Sequence, residues 1–175
     1  MGMITIVVGT NRTNSNSYTV GKYYKKRMKE AGVDSEILSL ESLPENFIKT
    51  DLYGKRSAAF QPIQDQVAKT DKFLFIVPEY NGSFPGVLKA FIDACTFPIS
   101  FLNKKAALVG ISSGKYGNIR GIEHFTGVCH YINLHVMPLK LHISYISEEL
   151  NSQGEFIKED TKNFIQQQID QFIAY

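Results

Sequence analysis

Two stretches of this sequence set hydrogen-bonding groups where the chain must change direction, and the first adds a fixed positive charge. Gly9-Thr10-Asn11-Arg12-Thr13-Asn14-Ser15-Asn16-Ser17 follows a short apolar run and precedes a long segment of helical composition. A loop so placed opens onto a helix N-terminus, whose free N–H groups and positive dipole end attract an anion. Hydroxyls on Thr10, Ser15 and Ser17 can donate to phosphate oxygens, and the planar fork of Arg12 matches two of them at once. The same composition also makes a polar turn with a good helix N-cap. Neither GxGxxG nor GxxxxGK[ST] occurs here, so this loop alone leaves both readings open.

The second stretch, Pro78-Glu79-Tyr80-Asn81-Gly82-Ser83-Phe84-Pro85-Gly86, is bracketed by prolines between an apolar run and an amphipathic segment. Its backbone groups and the Asn81 amide can meet the hydrogen-bonding edge of a flat heterocycle such as a flavin, with Tyr80 as an aromatic wall. A plain strand-to-helix turn with Pro85 near the first helical position would look the same. A third stretch, Ser112 to Gly121, holds Gly114, Gly117 and Gly121, which permit close approach of backbone to a flat ligand or simply make a mobile loop.

These loops need elements to position them, and the order of elements is readable. Ile4–Val8 is a β-branched run closed by Gly9; a helix is expected from about Ser17 to Glu30, and a strand over Ser35–Leu40. Residues 41–60 carry Pro44 and Gly54 without a period and read as a long irregular connection. A short helix over Pro62–Lys69 leads to a strand at Lys72–Val77, continuous and apolar as in a sheet buried on both faces. A helix over Gly86–Cys95, a strand over Lys105–Ile111, a helix over Ile122–Tyr131, a strand over Leu134–Leu139 and a closing helix over Glu159–Ile173 complete the series. Five strands alternating with helices predict an α/β fold, an open parallel sheet covered on both faces as a three-layer sandwich. Ligands of such sheets sit beyond the carboxyl ends of the strands, where all three loops emerge. That coincidence favours one extended ligand site over three unrelated turns.

Composition narrows the class. The 175 residues fit one domain spanning 1–175, and 43% hydrophobic with 21% charged residues argues against both disorder and a membrane span. The net charge of +2 is spread thinly, and the one basic run, Lys25-Lys26-Arg27, reads as a solvated helix face, so no nucleic-acid partner is expected. Cys95 and Cys129 are too few and too far apart for a disulfide framework, which points to a reducing, cytoplasmic compartment. The four histidines lack ligand spacing, so no metal site is expected.

With these residues in view, the chain resembles the NADPH-dependent FMN reductase family of flavodoxin-like quinone, azo-dye and chromate reductases. That family's first motif, roughly GSxRxxSxN, is similar to Gly9–Ser17, and its second, PEYNxSxPGxLKNxID, is similar to Pro78–Asp93. The resemblance implies a flavodoxin-like sheet of order 2-1-3-4-5 and non-covalent FMN. It implies that Thr10, Arg12, Ser15 and Ser17 hold the phosphate, with Asn16 beside them, that Pro78, Glu79, Tyr80, Asn81 and Gly82 line the isoalloxazine ring, and that Ser112, Ser113 and Gly114 flank its far side. Thr10 stands for the family's serine, Ser17 for its asparagine and Ala90 for its asparagine; only the last loses a hydrogen-bonding group, at a position expected to serve packing or subunit contact.

The resemblance further implies ping-pong hydride transfer from NADPH or NADH through bound FMN to a small acceptor: a quinone, azo compound, flavin or metal oxyanion. No catalytic side chain is expected, because the flavin carries the chemistry. A homodimer or homotetramer is expected, with the apolar segment Phe97–Leu102 at the substrate side or a subunit interface. Two other readings stand beside this one. A flavodoxin-type electron carrier or redox sensor would bind FMN without a pyridine-nucleotide site, although a pI near 8.4 is unlike acidic carriers. A nucleotide- or sugar-phosphate-binding protein on the same fold would want the phosphate-loop lysine that is missing here.

Overall fold

The computed structural model describes residues 2–53 and 56–175. Met1, Gly54 and Lys55 lie outside the described residues, and with the latter two part of the 41–60 connection. The strand that leads into the first loop, β1 (Ile4–Val8), is buried at every position. It pairs in parallel with β2 (Glu36–Ser39) on one side and β3 (Lys72–Pro78) on the other. Next to β3 lies β4 (Lys105–Ile111), again parallel. With β5 (His135–Val136) beyond β4, the order β2-β1-β3-β4-β5 is the one expected, and a short sixth strand also joins β4.

Parallel neighbours need crossovers, and the helices that make them cover both faces. Successive residues of a strand point to opposite faces, so each central strand feeds two cores. Phe73, Phe75 and Val77 pack with Val67 of α3 (Gln61–Lys69), Leu88 and Phe91 of α4 (Gly86–Ala94) and Phe125 of α5 (Ile119–Tyr131). Leu74 and Ile76 pack on the other face with Val20, Tyr24 and Met28 of α1 (Asn16–Glu30) and with Ile165, Ile169 and Phe172 of α7 (Glu159–Ala174). Double coverage is why β3 and β4 read as unbroken apolar runs rather than alternating ones. Each fully buried side chain of this size stabilises the fold by about 1.5–3 kcal/mol, and the two cores hold the strand ends, hence the loops, in fixed relation.

The last strand departs from expectation. In place of one strand over Leu134–Leu139 there are two short ones, β5 (His135–Val136) and β6 (Leu141–Ile143), both parallel to β4. Pro138 lies in the gap and has no N–H to give the ladder. Where the pairing lapses, the amide of Gln168 on α7 fills in: Nε2 donates to Leu108 O at 3.1 Å and to Leu139 O at 3.0 Å, and the Tyr24 hydroxyl donates to Oε1 at 2.8 Å. Both side chains are fully buried, and burial holds the Tyr24 phenol well above its ordinary pKa.

The connection read as irregular contains ordered pieces, a 3-10 turn (Leu40–Ser42) and α2 (Phe47–Thr50). Asp51 pins it, accepting from the Thr50 hydroxyl at 2.6 Å and from the backbone N–H and hydroxyl of Ser57. Burial alone would raise this carboxyl's pKa; those hydrogen bonds bring it below the ordinary value. The first helix begins at Asn16 because the Ser15 side chain caps it, accepting from Tyr18 N at 3.2 Å. One further turn, α6 (Ile146–Glu149), has no counterpart in the predicted elements. Among the described residues no helix is long and apolar enough to cross a membrane.

Candidate active site

At the carboxyl end of β1, the chain leaves the sheet through a tight step: Gly9 N donates to Ile76 O and Thr10 N to Val8 O, each at 2.9 Å. A Cβ on Gly9 would come within 2.9 Å of the Ile76 carbonyl oxygen, so a glycine is what allows this approach. Thr10 is then driven inward, 1% exposed, and its hydroxyl does two things. It shares a 2.6 Å hydrogen bond with the Tyr80 hydroxyl and accepts from Arg12 N at 3.2 Å. The first and second loops are therefore tied to each other, and Tyr80 reaches the first loop through its oxygen besides presenting a ring. Arg12 itself is exposed and makes no ion pair among the described residues.

The second loop is ordered by a tight reversal. Tyr80 N donates to Ser83 O at 2.9 Å and Ser83 N to Tyr80 O at 3.1 Å, with Asn81 at φ 52° and Gly82 at φ 76° between them. Two successive positive φ angles define a type I′ turn, the geometry that Asn-Gly favours. Glu79 N also bonds Ile111 O at 2.9 Å, carrying the β3–β4 pairing one residue past the strand. The third loop folds on Ser112, whose hydroxyl donates to Gly114 O at 2.8 Å and accepts from Gly117 N at 3.0 Å. It closes on Asn118, in the left-handed region at φ 61° and 1% exposed, whose Nδ2 donates to Val77 O at 2.9 Å.

Between these loops lies a cleft of about 250 Å³. Thr10, Arg12, Ser15, Asn16 and Ser17 form one wall, Pro78, Glu79 and Tyr80 a second, and Ser112 and Ser113 a third. Asn81 and Gly82 stand at the tip of the second loop, outside these walls, and so does Gly114, whose carbonyl is engaged by Ser112 and by Tyr145 N. The donor set is sorted by charge. The only cationic side chain of the lining, Arg12, comes from the α1 end with the serine hydroxyls, and its only carboxylate, Glu79, comes from the β3 end. A group with an anionic tail and an uncharged flat body fits that division: the tail meets Arg12 and the head of α1, the body meets the two remaining loops.

Sequence reasoning missed Ile111 and Ile146 on the cleft wall, and the buried Asn118 behind it. Ile146 arrives because α6 docks against the third loop, with Ile146 N donating to Ser112 O at 3.0 Å; no local pattern announces this. Asn118 carried a signal, being a residue type that tolerates positive φ at the head of a helix. The two cysteines take no part: burial pushes both thiols up to about 12, Cys129 being fully buried in α5 and Cys95 ending α4. Phe97–Leu102 divides, with Phe101 buried against Phe73 and Phe91 while Phe97 is 69% exposed.

The family profile described as NADPH-dependent FMN reductase matches residues 3–148, most of the chain and all three loops. The chain belongs to that family. It is therefore a member of a group of FMN-dependent oxidoreductases. Among curated relatives it is 31% identical to a 2-hydroxy-1,4-benzoquinone reductase of Burkholderia over 116 residues, which are 64% of this chain and 63%, just under two thirds, of that protein. It is 28% identical to an NAD(P)H-dependent FMN reductase of Pseudomonas aeruginosa over 165 residues, covering 89% of this chain and 88% of that one. Among solved structures, a flavoenzyme NAD(P)H:acceptor oxidoreductase from Paracoccus denitrificans superposes with a TM-score of 0.85 at 26% identity, over 100% of this chain and 97% of its own. An archaeal flavodoxin at 12% identity and a TM-score of 0.65 shares the fold alone.

Proposed function

We propose that this cleft holds FMN without a covalent link and that the chain passes electrons from NADPH or NADH to a small acceptor, with a quinone as the first candidate and azo compounds, free flavin and metal oxyanions behind it. The observation that carries the reading is the convergence of Arg12, the serine hydroxyls and the head of α1 on one end of a cleft whose other end is built from the second and third loops. Relatives named as quinone and FMN reductases support the acceptor class.

Bound FMN would supply hydride acceptance and donation at a single ring. Arg12 with the hydroxyls of Ser15 and Ser17 holds the dianionic end, and Asn16 with them forms the helix head that favours negative charge. Thr10 acts mainly through Tyr80, fixing the first loop against the second. Pro78, Glu79 and Tyr80 would bound the ring on one side, with Asn81 and Gly82 forming the turn at its rim; Ser112 and Ser113 would bound the other, with Gly114 behind them held by the Ser112 hydroxyl. With one open face, donor and acceptor occupy the same place in turn, which is a ping-pong scheme. We treat residues 1–175 as one FMN-binding unit, cytoplasmic, and a homodimer or homotetramer, a state consistent with the exposure of Phe97 and Ile99.

The test is direct. Purified protein incubated with FMN turns yellow after desalting, and its flavin absorbance bleaches when NADPH or NADH is added without air. Protein that holds FMN and never bleaches with either nucleotide is an electron carrier instead. Light scattering on the same sample reads the oligomeric state.

A further inference from the structure

The helix that follows the third loop is fastened to the second. Asn118 at the head of α5 bonds Val77 O, just before the second loop begins. A Cβ on Gly121 would meet the carbonyl carbon of Ser83 at 2.6 Å, so this glycine lets the helix backbone press against the turn. One helical turn on, His124 Nδ1 lies 3.0 Å from Ser83 Oγ. Arg120, four residues before His124 and so on the same helix face, brings Nη1 within 3.9 Å of where a Cβ on Gly82 would stand. Both side chains are exposed, and Arg120 makes no ion pair among the described residues. A permanent cation and an imidazole thus flank the tip of the second loop, outside the cleft walls.

We infer that Arg120 and His124 form the acceptor side of the site, with Arg120 holding the oxygen of a quinone that gains negative charge and His124 giving that oxygen its proton. The inference rests on the FMN and quinone readings above. Reduction of a quinone to a hydroquinone takes up two electrons and two hydrogens. The hydride leaving the reduced cofactor brings both electrons and one hydrogen; the second hydrogen must come as a proton. With Nδ1 engaged by Ser83, the imidazole presents Nε2, donates from there, is left neutral, and regains its proton from water. An imidazole can both give a proton and take one up, as the two halves of that exchange require. The fixed charge of Arg120 stabilises the oxygen during the transfer without needing to move a proton itself.

The experiment uses the FMN-loaded protein and two variants, with NADPH as donor and either a naphthoquinone or ferricyanide as acceptor. Ferricyanide takes one electron and no proton. His124→Gln keeps a partner for Ser83 but has no proton to give, and it is expected to lower kcat for the quinone by about 10²-fold. Ferricyanide turnover and the rate of flavin bleaching by NADPH are expected to hold. Free imidazole is expected to restore quinone turnover in His124→Ala, a rescue that a merely structural role would not show. Independently of turnover, the His124 ring C–H resonance of the protein is expected to move when the naphthoquinone is added. Quinone turnover retained in both variants, ferricyanide turnover falling in step with it, or a resonance that ignores the quinone each overturns the inference. Should the parent protein never bleach with NADPH or NADH, the donor reading fails instead, and the resonance still decides this one.

Discussion

The two ends of the sheet use the same kind of charge in opposite ways. At the amino ends of β3 and β4, lysines meet the ends of helices: Lys72 Nζ donates to Phe172 O and Ile173 O at 3.1 and 2.9 Å, and Lys104 Nζ to Val67 O and Ala68 O at 2.9 Å each. Lys105 bonds the carbonyl of Tyr175. These carbonyls lie at the C-terminal ends of α7 and α3, where the ladder within each helix runs out and the dipole is negative; Val67 O also accepts from Thr70 N at 3.3 Å. Burial lowers the pKa of Lys72 and Lys104. At the carboxyl ends, Arg12, Lys115 and Arg120 are exposed and make no ion pair among the described residues. Cations at one end are bonded into the fold; those at the other make no ion pair among the described residues, as the proposed anion site requires.

Substitutions should separate the two ends, and the largest effect is expected at the open one. Arg12→Gln should weaken FMN binding by about tenfold to a hundredfold, the loss of charge-assisted hydrogen bonds to the phosphate, with thermal unfolding of the apoprotein unchanged. Fluorescence titration of FMN reads the first and a melting curve the second. If Arg12→Gln leaves affinity intact, the contrast between the ends is lost.

Between the ends, Gln168→Leu removes the amide that serves two carbonyls and the Tyr24 hydroxyl, and should cost about 2–3 kcal/mol in denaturant unfolding. The reason is that three buried polar groups lose their partner at once. Gly82→Ala keeps the composition of the second loop but places a Cβ at φ 76°, a strain of about 1–2 kcal/mol. Its effect should show in FMN affinity more than in melting, because the turn lies at the ligand end and outside both cores. At the closed end, Lys72→Met should lower stability by about 0.5–1 kcal/mol and leave FMN affinity alone, the mirror image of Arg12→Gln.

A further effect is one of pH, and its sign can be worked out. Cys95 and Cys129 ordinarily ionise near 9.0 but are held protonated to about 12 in the folded chain. Between those values the unfolded state has released protons that the native state retains, so stability is full below pH 9 and falls as pH rises toward 12. Tyr24, raised from 10.0 by burial, adds in the same direction. Unfolding midpoints measured from pH 8 to 10.5 should decline, and less steeply in Cys129→Ala. Neither thiol should react with a disulfide reagent at pH 8 until the protein is denatured.

Much of this was legible beforehand because the signals are local. Continuous apolar runs at Ile4–Val8, Lys72–Val77 and Lys105–Ile111 can only be strands covered on both faces, and the loops between them carry their own turn chemistry. Asn81-Gly82 writes its type I′ turn into two residues, and Ser15 writes the start of α1 into one side-chain bond. The end of the sheet was less legible. Pro138 marks where the ladder breaks, yet nothing nearby shows that Gln168, thirty residues on, supplies the missing hydrogen bonds.

The sequence by itself determined the order of most strands and helices and the placing of three polar loops at one end of the sheet, because hydrophobic periodicity and turn residues act over a few positions; the resemblance to the family rested on the motifs at Gly9–Ser17 and Pro78–Asp93. Only the tertiary structure decided that Thr10 is committed to Tyr80, that Ile146 closes the third wall, and that Arg120 and His124 face the tip of the second loop. Each of those depends on how distant segments meet once two cores have closed on one sheet, and a hydrogen bond across seventy residues leaves no trace in the spacing of either partner.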